Sequence, residues 1–143
     1  MPASLVWHGR RAGPDGGALT LTLADCGAHG SGQLHIGSDD PARPALLAGV
    51  PRVPLRGAFA ARTSWIAALH PDTGYPEPWE QLHPRFPAWG RMPIYADLEG
   101  RWAFGRVTLA WTTNLGDSGQ ATLTLDGGFW RALRHACATL LRR

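Results

Sequence analysis

The chain contains no lysine. Its fourteen lysine-or-arginine positions are all arginine, and the formal net charge at pH 7 is +3. The arginine guanidinium is a planar cation that pairs with carboxylates and phosphates and stacks on aromatic rings. This bias therefore favours an anionic partner such as nucleic acid. The alternative explanation is a GC-rich genome, which the high glycine and proline content also indicates.

Cysteine is scarce, and long apolar runs are absent. Cys26 and Cys137 are too far apart in the chain for a C-x-x-C metal or redox motif, so we expect two buried, reduced thiols and no metal site. No apolar stretch approaches the roughly 20 residues that span a bilayer, and the first residues show no export-signal pattern. These absences predict a cytoplasmic protein that does not contact a membrane.

Glycine-rich phosphate-binding loops are also missing, so we expect no nucleotide cofactor and no other cofactor. The tetrapeptide GDSG at 116–119 surrounds the nucleophile of trypsin-like proteases. Here it lies between two strand patterns and has the composition of a turn. A chain of 143 residues is also too short for the two barrels of that mechanism. We therefore expect one domain over 1–143, and a binding protein rather than an enzyme.

Period-two patterning dominates what is present. Leu19, Leu21 and Leu23 alternate with smaller or polar residues, which is typical of a strand with one buried face. Similar patterns on either side predict a three-stranded meander in the first forty residues. Further strands are expected over 57–70, 94–99, 101–113 and 120–126, with a hairpin turn at Glu99 and Gly100.

Two helices are expected beside these strands. Asp40 and Pro41 suit an N-cap and a first helical position, and the segment ends at Gly49, which predicts a short helix over 41–48. Apolar residues recur at helical spacing from Phe129 to Leu141. The predicted fold class is therefore α+β: a strongly curved antiparallel sheet of about six to seven strands, with one C-terminal helix packed across a face.

Residues 71–93 are rich in proline and aromatic residues, which excludes a helix or a central strand. We interpret them as a long crossover loop that is either functional or simply packed against the body of the protein. His70, Glu80 and His83 are candidate acid–base groups of a small ligand-binding barrel or enzyme. Alternatively, the histidines only form hydrogen bonds with nearby backbone.

The candidate binding surface lies in the segment RWAFGRVTLAWTT. If Val107, Leu109 and Trp111 face the core, alternation along one strand sends the even-numbered side chains from 102 to 108 to the other face. Aromatic side chains on an open sheet stack with unpaired bases, and arginine holds phosphates. The leading hypothesis is a non-enzymatic protein that binds single-stranded or distorted nucleic acid. Its predicted contact residues are Trp102, Phe104, Arg106, Arg62, Tyr95, Arg131 and Arg134.

The same pattern supports another hypothesis. Aromatic residues on both faces are also typical of a sheet that is buried on both sides, by the crossover loop or by a partner subunit. The protein would then be an interaction or assembly module, such as a viral or regulatory factor, and would form a homodimer or a higher homo-oligomer.

Overall fold

The structure is a computed structural model, and it describes residues 4–13, 16–25, 27–39, 45–63, 66–69, 76–77, 95–114, 116, 118–127 and 137. These residues form ten strands: β1 (Ser4–Arg10), β2 (Ala18–Asp25), β3 (His29–Ile36), β4 (Ala45–Pro54), β5 (Ala58–Thr63), β6 (Ile66–Leu69), β7 (Pro76–Glu77), β8 (Ala96–Ala103), β9 (Arg106–Thr113) and β10 (Ser118–Leu125).

All ten strands belong to one sheet, in the order β5-β8-β9-β10-β1-β2-β3-β4-β6-β7. Each pair of neighbours is antiparallel. The predicted N-terminal meander is confirmed as β1, β2 and β3. The sheet curls until β4 lies against β5, which gives a nearly closed, barrel-like form.

Alternating side chains fill the inside of this curled sheet. A sheet of about eight strands encloses a space just wide enough for side chains to fill. The three leucines of β2 are buried here as predicted, and each such side chain contributes roughly 1.5 to 3 kcal/mol when fully buried. The buried apolar residues are Leu5, Trp7, Leu19, Leu21, Leu23, Leu34, Ile36, Ala48, Val50, Val53, Leu55, Phe59, Ala96, Leu98, Val107, Leu109, Trp111, Ala121, Leu123 and Leu125.

A seam between β4 and β5 is left without a ladder in the described part of the sheet. The start of β4 pairs with β6, from Ala45 to Ala48, and its other edge pairs with β3. The second half of β4 contains Pro51 and Pro54, neither of which has a backbone N–H to donate. Neither proline can therefore donate a backbone hydrogen bond to a ladder between β4 and β5.

The α+β prediction is wrong, because every element that the described part of the chain forms is an antiparallel strand. The short helix predicted over 41–48 is replaced from Ala45 onward by β4, where Ala48 and Val50 alternate into the core and Ala48 pairs with Leu34. Pairing with β3 outweighed the capping signals at Asp40.

The predicted C-terminal helix falls on residues 128–143, which lie outside the described residues except for Cys137. That thiol is exposed, so its predicted burial is wrong. Residues 41–44, Cys26, His70 and most of the crossover loop, including Glu80 and His83, also lie outside the described residues.

The hairpin between β8 and β9 turns at Phe104 and Gly105, not at Glu99 and Gly100 as predicted. Gly105 has a φ of 67°, the left-handed conformation that tight turns require and that glycine adopts readily. Gly100 lies within β8, where a Cβ atom would collide with the ring of Phe59. Gly100 is thus a packing glycine, and its strand continues for three further residues.

Gly116, the first residue of the GDSG segment, lies between β9 and β10, as the turn interpretation predicts. Gly116 has a φ of 92°, and its N–H donates to the Thr113 carbonyl at 3.1 Å. Ser118 already belongs to β10, opposite Thr112. Within the described ranges, no helix has the length and apolar character needed to cross a membrane.

Candidate nucleic-acid interface

The predicted direction of the β9 side chains is confirmed, but that of Trp102 is not. Val107, Leu109 and Trp111 are 0%, 1% and 3% exposed. Trp102 lies on β8 rather than β9 and is paired with Val107, so its side chain also turns toward the core. The alternation of inward and outward side chains starts again after the turn. Continuing it from β9 back to residue 102 therefore assigned Trp102 to the wrong face of the sheet.

Trp102 is half-buried and links the end of β4 and the 55–57 turn to β8. Its ring packs against those of Trp7 and Phe59, with centroid distances of 5.1 and 5.7 Å. Its indole Nε1–H donates to the Pro54 carbonyl at 2.8 Å, and its backbone N–H donates to the Gly57 carbonyl at 2.8 Å. Trp102 therefore fixes the turn at 55–57 against the end of β8, and its ring is not presented as a base-stacking surface.

Phe104 and Arg106 are at the surface of the same end of the sheet. Phe104 is 50% exposed and lies in the β8–β9 turn, and Arg106, which follows that turn, is exposed. Two exposed arginines lie close by in the fold: Arg101 on β8 and Arg56 in the 55–57 turn that Trp102 holds. The structure thus adds two arginines that the sequence analysis did not single out.

A fourth arginine, Arg52, is exposed near the end of β4. One of its terminal nitrogens lies 3.5 Å from Nδ1 of His29. We call the set Arg52, Arg56, Arg101, Phe104 and Arg106 the basic rim. The carboxylate of Asp126, which follows β10, is exposed at the same end.

Arginines at the opposite end of the sheet are paired. Arg10 forms an ion pair with Asp39 at 2.5 Å. Arg11 donates to the Ser118 carbonyl at 2.9 Å and lies 5.8 Å from the centroid of the Trp111 ring. Among the described residues, no arginine of the basic rim has a carboxylate within ion-pair distance. Of the five arginines in the described part that lack an ion-pair partner, four therefore belong to the basic rim, and the fifth is Arg11.

Arg62 and Tyr95 belong to that opposite end and do not join the basic rim. Arg62 binds both carboxylate oxygens of Asp97, at 2.7 and 3.0 Å, and its guanidinium lies 4.3 Å from the centroid of Tyr95. The hydrogen bond from Arg62 lowers the pKa of Asp97. Asp97 is five residues before Trp102 on β8, roughly 17 Å away along the strand. Arg131 and Arg134 lie outside the described residues.

A shallow groove continues from the basic rim along the outside of the sheet, across β5, β8 and β9. Its volume is about 460 Å³. Three alanines form its floor: Ala58, Ala60 and Ala110. Glu99, Arg101 and Thr108 also line it, so Arg101 belongs to both the groove and the rim. We call this feature the alanine groove.

The sequence carried only a partial signal for Arg56, since the glycine that follows it is a residue that marks turns. Gly57 indeed has a φ of 70°. Arg101 could not be placed, because the wrong turn position gave the wrong parity for β8. Within the described part of the chain, no three histidine, cysteine or acidic side chains are grouped to hold a metal ion.

No protein-family model, curated protein or solved structure matches the chain.

Proposed function

We propose that the protein binds single-stranded nucleic acid at the basic rim and acts without catalysis. The observation that carries the proposal is the uneven pairing of its arginines. Arg10 and Arg62 each have a carboxylate partner, whereas in the described part the arginines of the basic rim have none. Arginines without a carboxylate partner attract phosphates, and a nucleic-acid strand carries one phosphate for each nucleotide.

Phe104 supplies the preference for unpaired strands. An aromatic ring at the surface stacks on a base only when the face of that base is open, and such stacking contributes roughly 1 to 3 kcal/mol per base. Phe104 is half-exposed between Arg101 and Arg106, so a base on its ring would have its flanking phosphates within the reach of two guanidinium groups. Duplex DNA presents phosphates but no open base face.

The supporting role of Trp102 differs from the role expected from the sequence. Its two hydrogen bonds tie the 55–57 turn, which carries Arg56, to the strand that carries Arg101. Because Trp102 packs against the core, Arg56 and Arg101 extend from fixed backbone positions. Fixed positions reduce the entropy that binding must overcome.

The test compares two double substitutions that remove the same charge. Fluorescence anisotropy of a labelled oligothymidine measures binding by the wild type, by R56A/R106A and by R10A/R62A at low salt. We expect R56A/R106A to weaken binding by about a hundredfold or more, since it removes two charge-assisted contacts that contribute about 1.5 to 3 kcal/mol each. R10A/R62A removes arginines that already have partners, so we expect little change.

Equal losses in the two variants would mean that only the net charge matters, and would contradict a localised site. A protein that dimerises with rising concentration and shows no oligonucleotide affinity at low salt would contradict the proposal altogether. That result would favour an assembly module.

A further inference from the structure

The alanine groove has a regular arrangement that follows from the register of three strands. One row across the sheet contains Ala58, Arg101 and Thr108, and the next contains Ala60, Glu99 and Ala110. Glu99 and Arg101 therefore stand side by side on the central strand, with Cα atoms about 6.7 Å apart. The side chains beside them on both neighbouring strands are short.

Both charged groups point out from β8 and retain their hydrogen-bonding capacity within the described part of the structure. Glu99 and Arg101 are exposed, and neither forms an ion pair or a side-chain hydrogen bond with a described residue. The alanine methyl groups beside them offer an apolar surface for a flat ring. A volume of about 460 Å³ lies within the range of small-ligand sites, roughly 300 to 1,000 Å³.

The chemistry of the two groups restricts what they can bind together. An ionised glutamate only accepts hydrogen bonds, and an arginine only donates them. A ligand that satisfies both side chains must carry hydrogen-bond donors for Glu99 next to hydrogen-bond acceptors for Arg101. Among the DNA bases, guanine alone has two neighbouring donor nitrogens, N1–H and the N2 amino group, on one edge, and its acceptors O6 and N7 follow directly.

We propose that the alanine groove binds an unpaired guanine of the strand whose phosphates lie on the basic rim, with Glu99 accepting from N1–H and N2–H and Arg101 donating to O6 or N7. This inference rests on the proposed function, because the rim delivers the strand to the groove. Arg101 belongs to both surfaces, so the base next to a rim-bound phosphate is the one that reaches Glu99.

The test uses oligothymidine probes that differ in one central base: thymine, guanine or hypoxanthine, which lacks the N2 amino group. We expect the guanine probe to bind about tenfold more tightly than the thymine probe, because one bidentate contact to a base discriminates by roughly 1 to 3 kcal/mol. The hypoxanthine probe should fall between them.

E99Q removes the carboxylate with little change in shape and should abolish the guanine preference while salt-dependent binding of all probes remains. D126N is the matched control: it removes a carboxylate at the same end of the sheet, outside the groove, and should keep the preference. Equal affinity of the wild type for all three probes would overturn the guanine site and leave the basic rim standing.

Guanosine monophosphate and thymidine monophosphate test the alanine groove independently of strand binding at the basic rim. Their binding is measured by ligand-observed NMR on the wild type and E99Q. If no oligonucleotide binds at low salt, the proposed function fails. The groove then stands only if guanosine monophosphate binds the wild type in preference to thymidine monophosphate and E99Q loses that preference. Equal binding of the two nucleotides would overturn it.

Discussion

The indole N–H of Trp102 donates a hydrogen bond to the carbonyl oxygen of Pro54 at 2.8 Å. This bond crosses from β8 to the end of β4, close to the seam where β4 and β5 lack a ladder. A side chain thus joins strands at a place where backbone pairing stops. The same residue sets the position of the turn that carries Arg56.

The W102F variant keeps an aromatic ring in this position but loses the donor. We expect the free energy of unfolding to fall by about 1 to 2 kcal/mol, because the part-buried Pro54 carbonyl loses its partner. Oligonucleotide affinity should fall several-fold, since the 55–57 turn is less firmly held. Urea denaturation and anisotropy measure the two effects. W111F, which alters the core at the opposite end, should lower stability without lowering the affinity of the folded protein.

Phe104 offers the cleanest separation of binding from stability. F104A should weaken the binding of single-stranded oligonucleotides by roughly 1 to 3 kcal/mol, the contribution of one stacked base. Its half-exposed ring lies in a turn, so we expect the urea midpoint to change much less than the affinity. F104W should restore binding and should report it through quenching of the new indole. Full affinity in F104A would contradict base stacking at this position.

Gly100 is required for packing against Phe59. In G100A the new methyl group would meet the Phe59 ring, and relief of that overlap should cost roughly 1 to 3 kcal/mol of stability. Gly49 on β4 is the control, because a Cβ atom there would meet nothing within 4 Å. G49A should leave the thermal midpoint unchanged or slightly raised. Equal midpoints for the two variants would contradict the close approach of Phe59 to β8.

The ion pair between Arg62 and Asp97 predicts a pH-dependent difference in stability. The hydrogen bond from Arg62 lowers the pKa of Asp97 in the folded protein below its unfolded value. The stabilisation is therefore fully present above the unfolded pKa, about 3.9, and is lost as the pH falls through the lower, folded pKa. D97N should be less stable than the wild type at pH 7, and the difference should shrink as the pH falls through the folded pKa, as measured by urea denaturation.

Both side chains of this pair are exposed, so salt should reduce the difference at pH 7. A difference that persists unchanged at pH 2 would show that the substitution acts through something other than the charge of Asp97.

The sequence predicted the strands far better than the helix and the site. The alternation of apolar and polar residues in β2 and β9 was clear enough to predict their buried faces, because a shift of one residue would expose the apolar side chains of each strand. The segment 45–48 lacked such a signal, since short apolar runs suit either a strand or a helix. Its strand conformation depends on pairing with β3, which is a long-range contact.

The prediction of the site was wrong because it placed the β8–β9 turn at the wrong residues. Both Gly100 and Gly105 suit a turn by composition, and only the packing of Phe59 shows which one is used. The wrong turn position assigned the Trp102 side chain to the outer face of the sheet and the Arg101 side chain to the inner face. The sequence alone allowed Arg62 to be a phosphate ligand. In the fold, Asp97, which lies more than thirty residues away in the chain, forms an ion pair with it.

If the basic rim holds the phosphates of a single strand, the affinity for oligothymidine must fall as the salt concentration rises. This salt dependence is measured for the wild type and for R56A/R106A. If four rim arginines contact phosphates, log K should fall against log salt with a slope of about −3 in the wild type, and of roughly half that in the variant. Identical slopes in the two proteins, or binding that does not change with salt, would contradict the claim.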